Sequence, residues 1–568
     1  MLGPSFQIGR SALAAYQAAL SVAGQNIANV GNPDYTRQTG RLAALAAGPS
    51  IGGIRPGAGV TLASLRRNVD EALESRLRLA AAQRSGAEQV SQSLRQTEAL
   101  YNELSDQDIS SQLSELFGAF GSLQTQPGDS TQRDLILGSA DGLVRSFTRI
   151  RSGLVQQVRE LNDQATVVAN HANSIIGEVA RLNQQVVVAE ADGVTVASAL
   201  RDRRDSLIRD LGEIMDITTR EQPGGAVNVY INSQPLVDFN RSRGIAVDRV
   251  LEDGLEIASV RFADDRTPIT VREGKLAGLL TSRDSYIRDQ LTRLDTLAGG
   301  LIYEVNKIHS SGAGLVGYTS LTSERAVLST SAVLNTTDAG LPFPVRNGTF
   351  FVKVRDVESG AVTTRQIDID LDGLNGNDTT LESLRAQLDA VPGVTATIGA
   401  DNRLSLTADN GSDISFADDN SGVLAALGLA TFFKGTNAAT IGIADAVDAD
   451  PRLIAASVSG AANDGENAGR MAQLAASDVT SALLGNRSIA NYHSDMVGDL
   501  AVIGGAALDG YEAADAVYQG LYAQRESISG VSLDEEAINM TKYERAYQGA
   551  ARYITVLNEM TDEVLRLL

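Results

Sequence analysis

The two ends of this 568-residue chain carry apolar stripes of the same period, and that match limits the folds open to everything between them. Toward the C-terminus Tyr543, Ala546, Ala550, Tyr553, Leu557, Met560, Val564 and Leu567 step by three and four residues alternately, the heptad spacing of a helix that packs along another helix. Toward the N-terminus Phe6, Gly9, Leu13, Tyr16, Leu20, Ala23, Ile27 and Val30 do the same. The two stripes are expected to be partners, so both ends root in one bundle. Ser532 with Glu535 forms a capping-box pattern at the start of the C-terminal helix, and Asp534, Glu535 and Glu536 place negative charge on its positive end. Gly31 and Asn32 before Pro33 end the N-terminal helix, because glycine supplies a left-handed cap and proline cannot continue the ladder. Gly9 and Ala23 dilute the first stripe, so both ends are expected to be largely disordered in the free monomer and to fold on docking to neighbouring subunits, with Tyr16, Tyr543 and Tyr553 offering large contact area.

Between the ends, a glycine- and proline-rich stretch over residues 49–59 reads as a linker. A helix follows from about Asn68 to Leu104, striped by Leu94, Thr97 and Tyr101. After a turn at Pro127 and Gly128, with Asp129 or Ser130 as cap, a third helix should run to about Glu190. Its stripe passes from Leu154 through Val158, Leu161, Ala165, Val168, Ala172, Ile175, Val179, Leu182 and Val186 to Ala189. A helix of that size measures roughly 90 Å at 1.5 Å per residue, which suits an elongated molecule. Residues 196–217 read as a further helix whose arginines are neutralised by acids four residues away, Asp205 and Arg209 among them. Strands are expected at 226–231, 254–262 and 268–271, a helix from Gly274 to His309, a Thr- and Asp-rich α+β region over 319–446, and an Ala-rich helical return from about Pro451. The fold class is therefore α+β multidomain: a helical coiled-coil or bundle rod built from both termini, with a β-rich outer domain inserted. The expected domains are 1–45 with 525–568, 60–318 with 447–524 (including a β region near 218–272), and 319–446.

Several chemistries find no support. The chain has no cysteine, and His171, His309 and His493 lack ligand spacing. Asp368, Asp370, Asp372 and Gly373 begin a calcium-loop pattern, but its twelfth position is Thr379 where a bidentate Glu is needed. Gly312, Gly314 and Gly317 have dinucleotide-binding spacing but follow a helix instead of a strand. Seventy acidic residues against 48 basic ones, net −22, disfavour nucleic acid and anionic membrane as partners. No apolar run reaches membrane-spanning length, and residues 1–17 lack the pattern of a cleaved signal. No catalytic, cofactor or metal site is expected.

The segment Ala19–Gln38, ALSVAGQNIANVGNPDYTRQ, resembles the N-terminal signature of flagellar axial proteins, carried here by Asn26, Asn29, Pro33, Tyr35, Arg37 and Gln38. Asp34 stands where the usual turn has glycine. Glu273–Asp284, Val305–Gly317, Phe432–Ser457 and Ser529–Met560 narrow the likeness to the hook-associated protein 1 family. The resemblance implies a non-enzymatic structural protein at the junction of hook and filament. It further implies a homo-oligomeric ring with channel-lining terminal helices, contacts to the hook protein and the second junction protein, export without a cleaved signal, and an export chaperone on the C-terminal helix. The assembly interface would be Leu13, Tyr16, Leu20, Ile27 and Val30 with the C-terminal stripe. The second junction protein or the hook protein is the alternative; a surface adhesin or a wall-cleaving enzyme is a remoter one.

Overall fold

The structure, a computed structural model, describes residues 3–45, 57–101, 108–192, 196–252, 254–374 and 376–567; most of the expected linker at 49–59 lies outside them. In chain order the elements are α1 (Gly3–Ala28), β1 (Gln38–Ala44), β2 (Val60–Arg67), α2 (Glu71–Tyr101), α3 (Ile109–Thr125), α4 (Ser130–Ala189) and α5 (Ser198–Ile214). A β-rich stretch follows: β3 (Thr218–Glu221), β4 (Val227–Ile231), β5 (Gln234–Asp238), β6 (Arg241–Ser242), β7 (Ile245–Glu252) and β8 (Leu255–Phe262). Then come α6 (Lys275–Thr281), a π-helical turn at Ser282–Ile287, α7 (Arg288–His309), β9 (Ser320–Thr322), β10 (Gly348–Asp356), β11 (Val362–Ile369) and α8 (Leu381–Asp389). The remainder is β12 (Val394–Ile398), β13 (Leu404–Ala408), β14 (Ser412–Ala417), α9 (Val423–Leu427), β15 (Phe433–Lys434), β16 (Gly442–Ile443), α10 (Asp445–Ala449), α11 (Glu466–Ala472), α12 (Ile489–Ser529) and α13 (Leu533–Leu567). The chain forms an α+β protein of two compact units, Met1–Gln92 with Glu160–Ser282 and Ala506–Leu568, and Ser93–Arg159 with Arg283–Gly505.

In the first unit the later part of α4 supplies the core. Leu161, Ala165, Ala172, Ile175, Val179, Leu182 and Val186 are buried, following the expected stripe. The sheet β3-β4-β5-β6 and the hairpin β7-β8 are fastened to this helix by asparagines. Asn162 Oδ1 accepts from the Ala258 amide (2.9 Å), Asn173 Oδ1 from the Ile245 amide (2.9 Å), and Asn183 Nδ2 donates to Val227 O (2.8 Å) and Phe239 O (2.7 Å). An amide side chain can satisfy both a donor and an acceptor of a strand end, so each holds backbone that would otherwise be buried unpaired. Residues 268–271 add only a bridge from Pro268 to Arg261. The α5 arginines correct the expectation of a self-neutralised surface: Arg204 is buried, Asp205 pairs with Arg67 on β2, and Arg209 pairs with Asp34. The partners come from distant sequence because α5 faces the protein on that side.

In the second unit α3, not foreseen from sequence, begins at Asp108, whose carboxylate accepts from the Ser111 amide (2.7 Å). It buries Phe117 and Phe120, and Phe120 meets Phe432 edge-on at 5.5 Å. The sheets β11-β10-β14 and β12-β13-β9 lie in the expected α+β region over 319–446. Asn306 Nδ2 donates to Phe433 O (2.8 Å) while its Oδ1 accepts from the Phe432 and Phe433 amides. Arg133 donates to Ile454 O (2.6 Å) and Pro127 O (2.8 Å). The glycines at 312 and 314 reflect close backbone approach: a Cβ on Gly312 would lie 2.2 Å from Asn467, and one on Gly314 2.4 Å from Arg452 O. Thr379 closes its loop onto Asp370, its amide donating to Asp370 O (2.7 Å) and its Oγ1 accepting from the Asp370 amide (2.9 Å). From Pro451 to Ser488 the return is mostly short turns, and the long helix starts only at Ile489.

Candidate assembly interface

The signature residues build a knot that joins the first helix to the last two. Gly31, in left-handed conformation (φ +78°), ends α1, and Asn32 Oδ1 accepts from the Asp34 amide in a short turn. Asn26, 1% exposed, reaches across this turn. Its Nδ2 donates to Gln38 O (2.9 Å), and its Oδ1 accepts from the Gln38 amide (3.1 Å) and the Tyr35 hydroxyl (2.7 Å). Burial, with Asp202 and Glu536 nearby, pushes the Tyr35 hydroxyl up to about 12, so it stays a donor. Asn29 bonds its own helix at Gln25 O, and Gln38 opens β1 opposite Arg67. Asp34, in the place of the expected glycine, accepts from Ser206 Oγ (2.7 Å) and pairs with Arg209 (3.3 Å).

The far end of the chain closes on that turn. Pro33 O accepts from buried Arg525 (3.2 Å), the Arg37 amide donates to Ser529 O (2.9 Å), and Ser529 Oγ donates to Asn68 O (2.6 Å). Arg37 lies 2.7 Å from both Glu535 and Glu536 in the first turn of α13. Burial alone would lower its pKa, but the hydrogen bonds to Glu536 and Glu535 outweigh that and raise it. The Glu535 amide lies 3.5 Å from Ser532 Oγ, so Ser532 caps weakly while Glu535 turns to Arg37.

α1 and α13 pack together, and their stripes are used unequally. On α1 the buried positions are Gly9, Ala15, Ala19, Ala23 and Asn26, a small-residue face turned by roughly a quarter turn from the heptad stripe. Gly9 meets α13 so closely that a Cβ there would stand 2.6 Å from Ile554. Leu13, Tyr16, Leu20 and Ile27 flank that face half-buried, and Val30 is exposed. On α13, Tyr543, Ala546, Ala550 and Ile554 are half-buried and Leu557 is buried at 5% exposure. Tyr553 (41%), Met560 (53%) and Val564 (49%) are exposed, as are Ile538, Val556 and Leu565; the Leu567 side chain lies outside the described residues. Leu508, Val517 and Ile528 of α12 are exposed as well. Exposed apolar surface on this scale is the mark of a surface made to be covered.

Sequence reasoning did not single out Ala15, Ala19 or Ile554, because an alanine ridge weighs little beside leucines in a periodicity count. Arg525 and Glu536 were missed because their partners lie some hundreds of residues away; the acidic first turn of α13 was the available signal.

Residues 94–321 match the family described as the flagellar hook-associated protein FlgK helical domain, and residues 523–567 match the flagellar basal body rod FlgEFG protein C-terminal family. The chain is 26% identical to flagellar hook-associated protein 1 of Salmonella typhimurium, over 98% of each chain. It is 25% identical to that of Bacillus subtilis, over 98% of this chain and 97% of the relative. The solved structure of the flagellar hook junction protein FlgK from Burkholderia pseudomallei superposes with a TM-score of 0.50 at 14% identity, covering 80% of this chain and all of that one, a likeness of fold.

Proposed function

We infer that this chain belongs to the flagellar hook-associated protein 1 family and serves as a structural axial component of the bacterial flagellum, at the junction between hook and filament. The near-full-length likeness to hook-associated protein 1 supports the family and the place. The observation that carries the mechanism is the exposed apolar side chains of α12 and α13, which no other described residue covers. In our reading, copies of this chain form a ring in which each α13 presents Tyr553, Met560 and Val564 to a neighbour's terminal helices, while α1 adds its half-buried leucines. The hook protein lies below the ring and the second junction protein above it. The protein reaches this extracellular position by export without a cleaved signal, with a chaperone covering α13 beforehand. No helix among the described residues is long and apolar enough to cross a membrane. The role proposed is structural, not enzymatic.

The decisive substitutions are Met560→Asp with Val564→Asp. Leu557→Asp would disturb the intrachain seam as well, since Leu557 is buried in the single chain. Met560 and Val564 are half exposed, so charges there should leave thermal unfolding within about 0.5 kcal/mol of the parent. Incorporation at the hook tip, followed by immunolabelling and motility, should be lost. Normal incorporation of a folded double variant would rule out this face as the assembly surface.

A further inference from the structure

A second surface of the first unit has features the assembly reading does not use. A cavity of about 400 Å³ opens between the start of α2, α5 and β3. Six arginines line it beside Glu71, Glu74, Asp205 and Glu221; Arg66 is exposed, and three have close carboxylate partners: Arg67 with Asp202 and Asp205, Arg201 with Glu190 and Glu221, Arg209 with Asp34. Two differ. Arg204 is 1% exposed; its Nη1 donates to Gly225 O (2.6 Å) and to Asn183 Oδ1 (3.2 Å), while its Nε has no acceptor. The nearest carboxylate, Asp205, stands 3.6 Å from that Nε and is held by Arg67 at 2.6 Å. Arg78 donates only to the Thr219 hydroxyl (2.9 Å), its buried Nε is also unmet, and it forms no ion pair among the described residues. Glu74, the acid beside it on α2, is engaged by Arg525.

Burial lowers the pKa of both guanidinium groups, with nearby carboxylates recovering only part of the loss. Water would satisfy the N–H groups but leave two desolvated charges poorly compensated. A guanidinium fork matches a tetrahedral oxyanion with parallel N–H donors, which a monovalent halide cannot use.

We propose that this cavity binds a phosphate or sulfate group, free or as the charged end of a small molecule, on the guanidinium groups of Arg78 and Arg204. The site lies within one unit and does not depend on the assembly reading. Its test uses the full-length chain, inorganic phosphate as the probe, and phosphorus NMR titration at fixed ionic strength to hold screening constant. Saturable binding with Kd of about 1 mM or tighter is expected, with sulfate competing. Arg204→Gln risks misfolding because Arg204 also holds Gly225, so Arg78→Gln is the first variant. Ser75→Glu is the second; Ser75 is exposed on the cavity wall, and a carboxylate there would occupy the anion's place. Each should weaken binding by about tenfold or more with an unchanged circular dichroism spectrum. Arg243→Gln, on a half-buried arginine outside the cavity, should change nothing. Absence of saturation, equal affinity in Arg78→Gln and Ser75→Glu, equal loss in Arg243→Gln, or acetate competing as well as sulfate would each overturn the proposal.

Discussion

At the scale of single residues, buried polar groups do the specifying. His309 is the sharpest case. Its Nδ1 lies 2.8 Å from Ala430 O and its Nε2 accepts from the Ala455 amide (3.1 Å), so the ring must be neutral with the proton on Nδ1. Burial pushes its pKa down to about 4 from 6.5, with Arg133 nearby acting in the same direction. A histidine with a depressed folded pKa contributes stability that is fully present above the unfolded value and is lost as pH falls from 6.5 through about 4. The linked loss is about 3 kcal/mol. Denaturant melts of the parent and of His309→Gln across that window should show a pH slope in the parent that the variant lacks; parallel curves would refute the assignment. The sequence placed His309 in a recognisable segment, VNKIHSSGAGLVG, yet gave no hint of its partners, since Ala430 and Ala455 contribute only backbone atoms.

At the scale of elements, the long helices α4 and α13 were legible, α3 was not, and neither were the attachments of any of them. The 60-residue span of α4 follows from one unbroken stripe between Asp129, which caps it, and Gly193. The start of α13 at Leu533 follows from Ser532 and the acids behind it. The face α1 buries could not be read, because Leu13 and Leu20 dominate any apolar count while close helix approach selects Gly9, Ala15 and Ala19. Nor could the role of the acidic turn of α13, which serves Arg37 more than its own helix. Glu536 is 2% exposed, so removing Arg37 strands a buried carboxylate, whereas Glu535 is exposed and matters little. A double-mutant cycle on Arg37→Met and Glu536→Gln should give a coupling above about 1 kcal/mol, and the same cycle with Glu535→Gln well below it. Equal couplings would show that the bond at Glu536 is ordinary surface pairing.

At the scale of the whole molecule, the two compact units are each assembled from separated stretches of chain, and the first gathers both termini. Much of α12 after Ala506 and of α13 is solvent-exposed in the single chain, so these helices have little tertiary support. Amide exchange on the free protein should therefore be fast across residues 6–30 and 540–565 and slow across the buried stripe of α4, with the ends slowing on assembly. Protection of the ends equal to that of α4 in the free chain would mean that they are ordered before they dock.

The bond from Arg37 to Glu536 spans 499 residues of sequence. Closing a loop of that length costs about 5 kcal/mol of chain entropy beyond a constant, so this contact cannot lead folding and must wait for the structure between to shorten the gap. The knot thus works as a completeness check. A chain cut short before its last helix could fold much of its middle, yet Arg37 would be left without both carboxylates and the alanine face of α1 without its cover. Only a molecule carried through to its final turns can finish its own beginning.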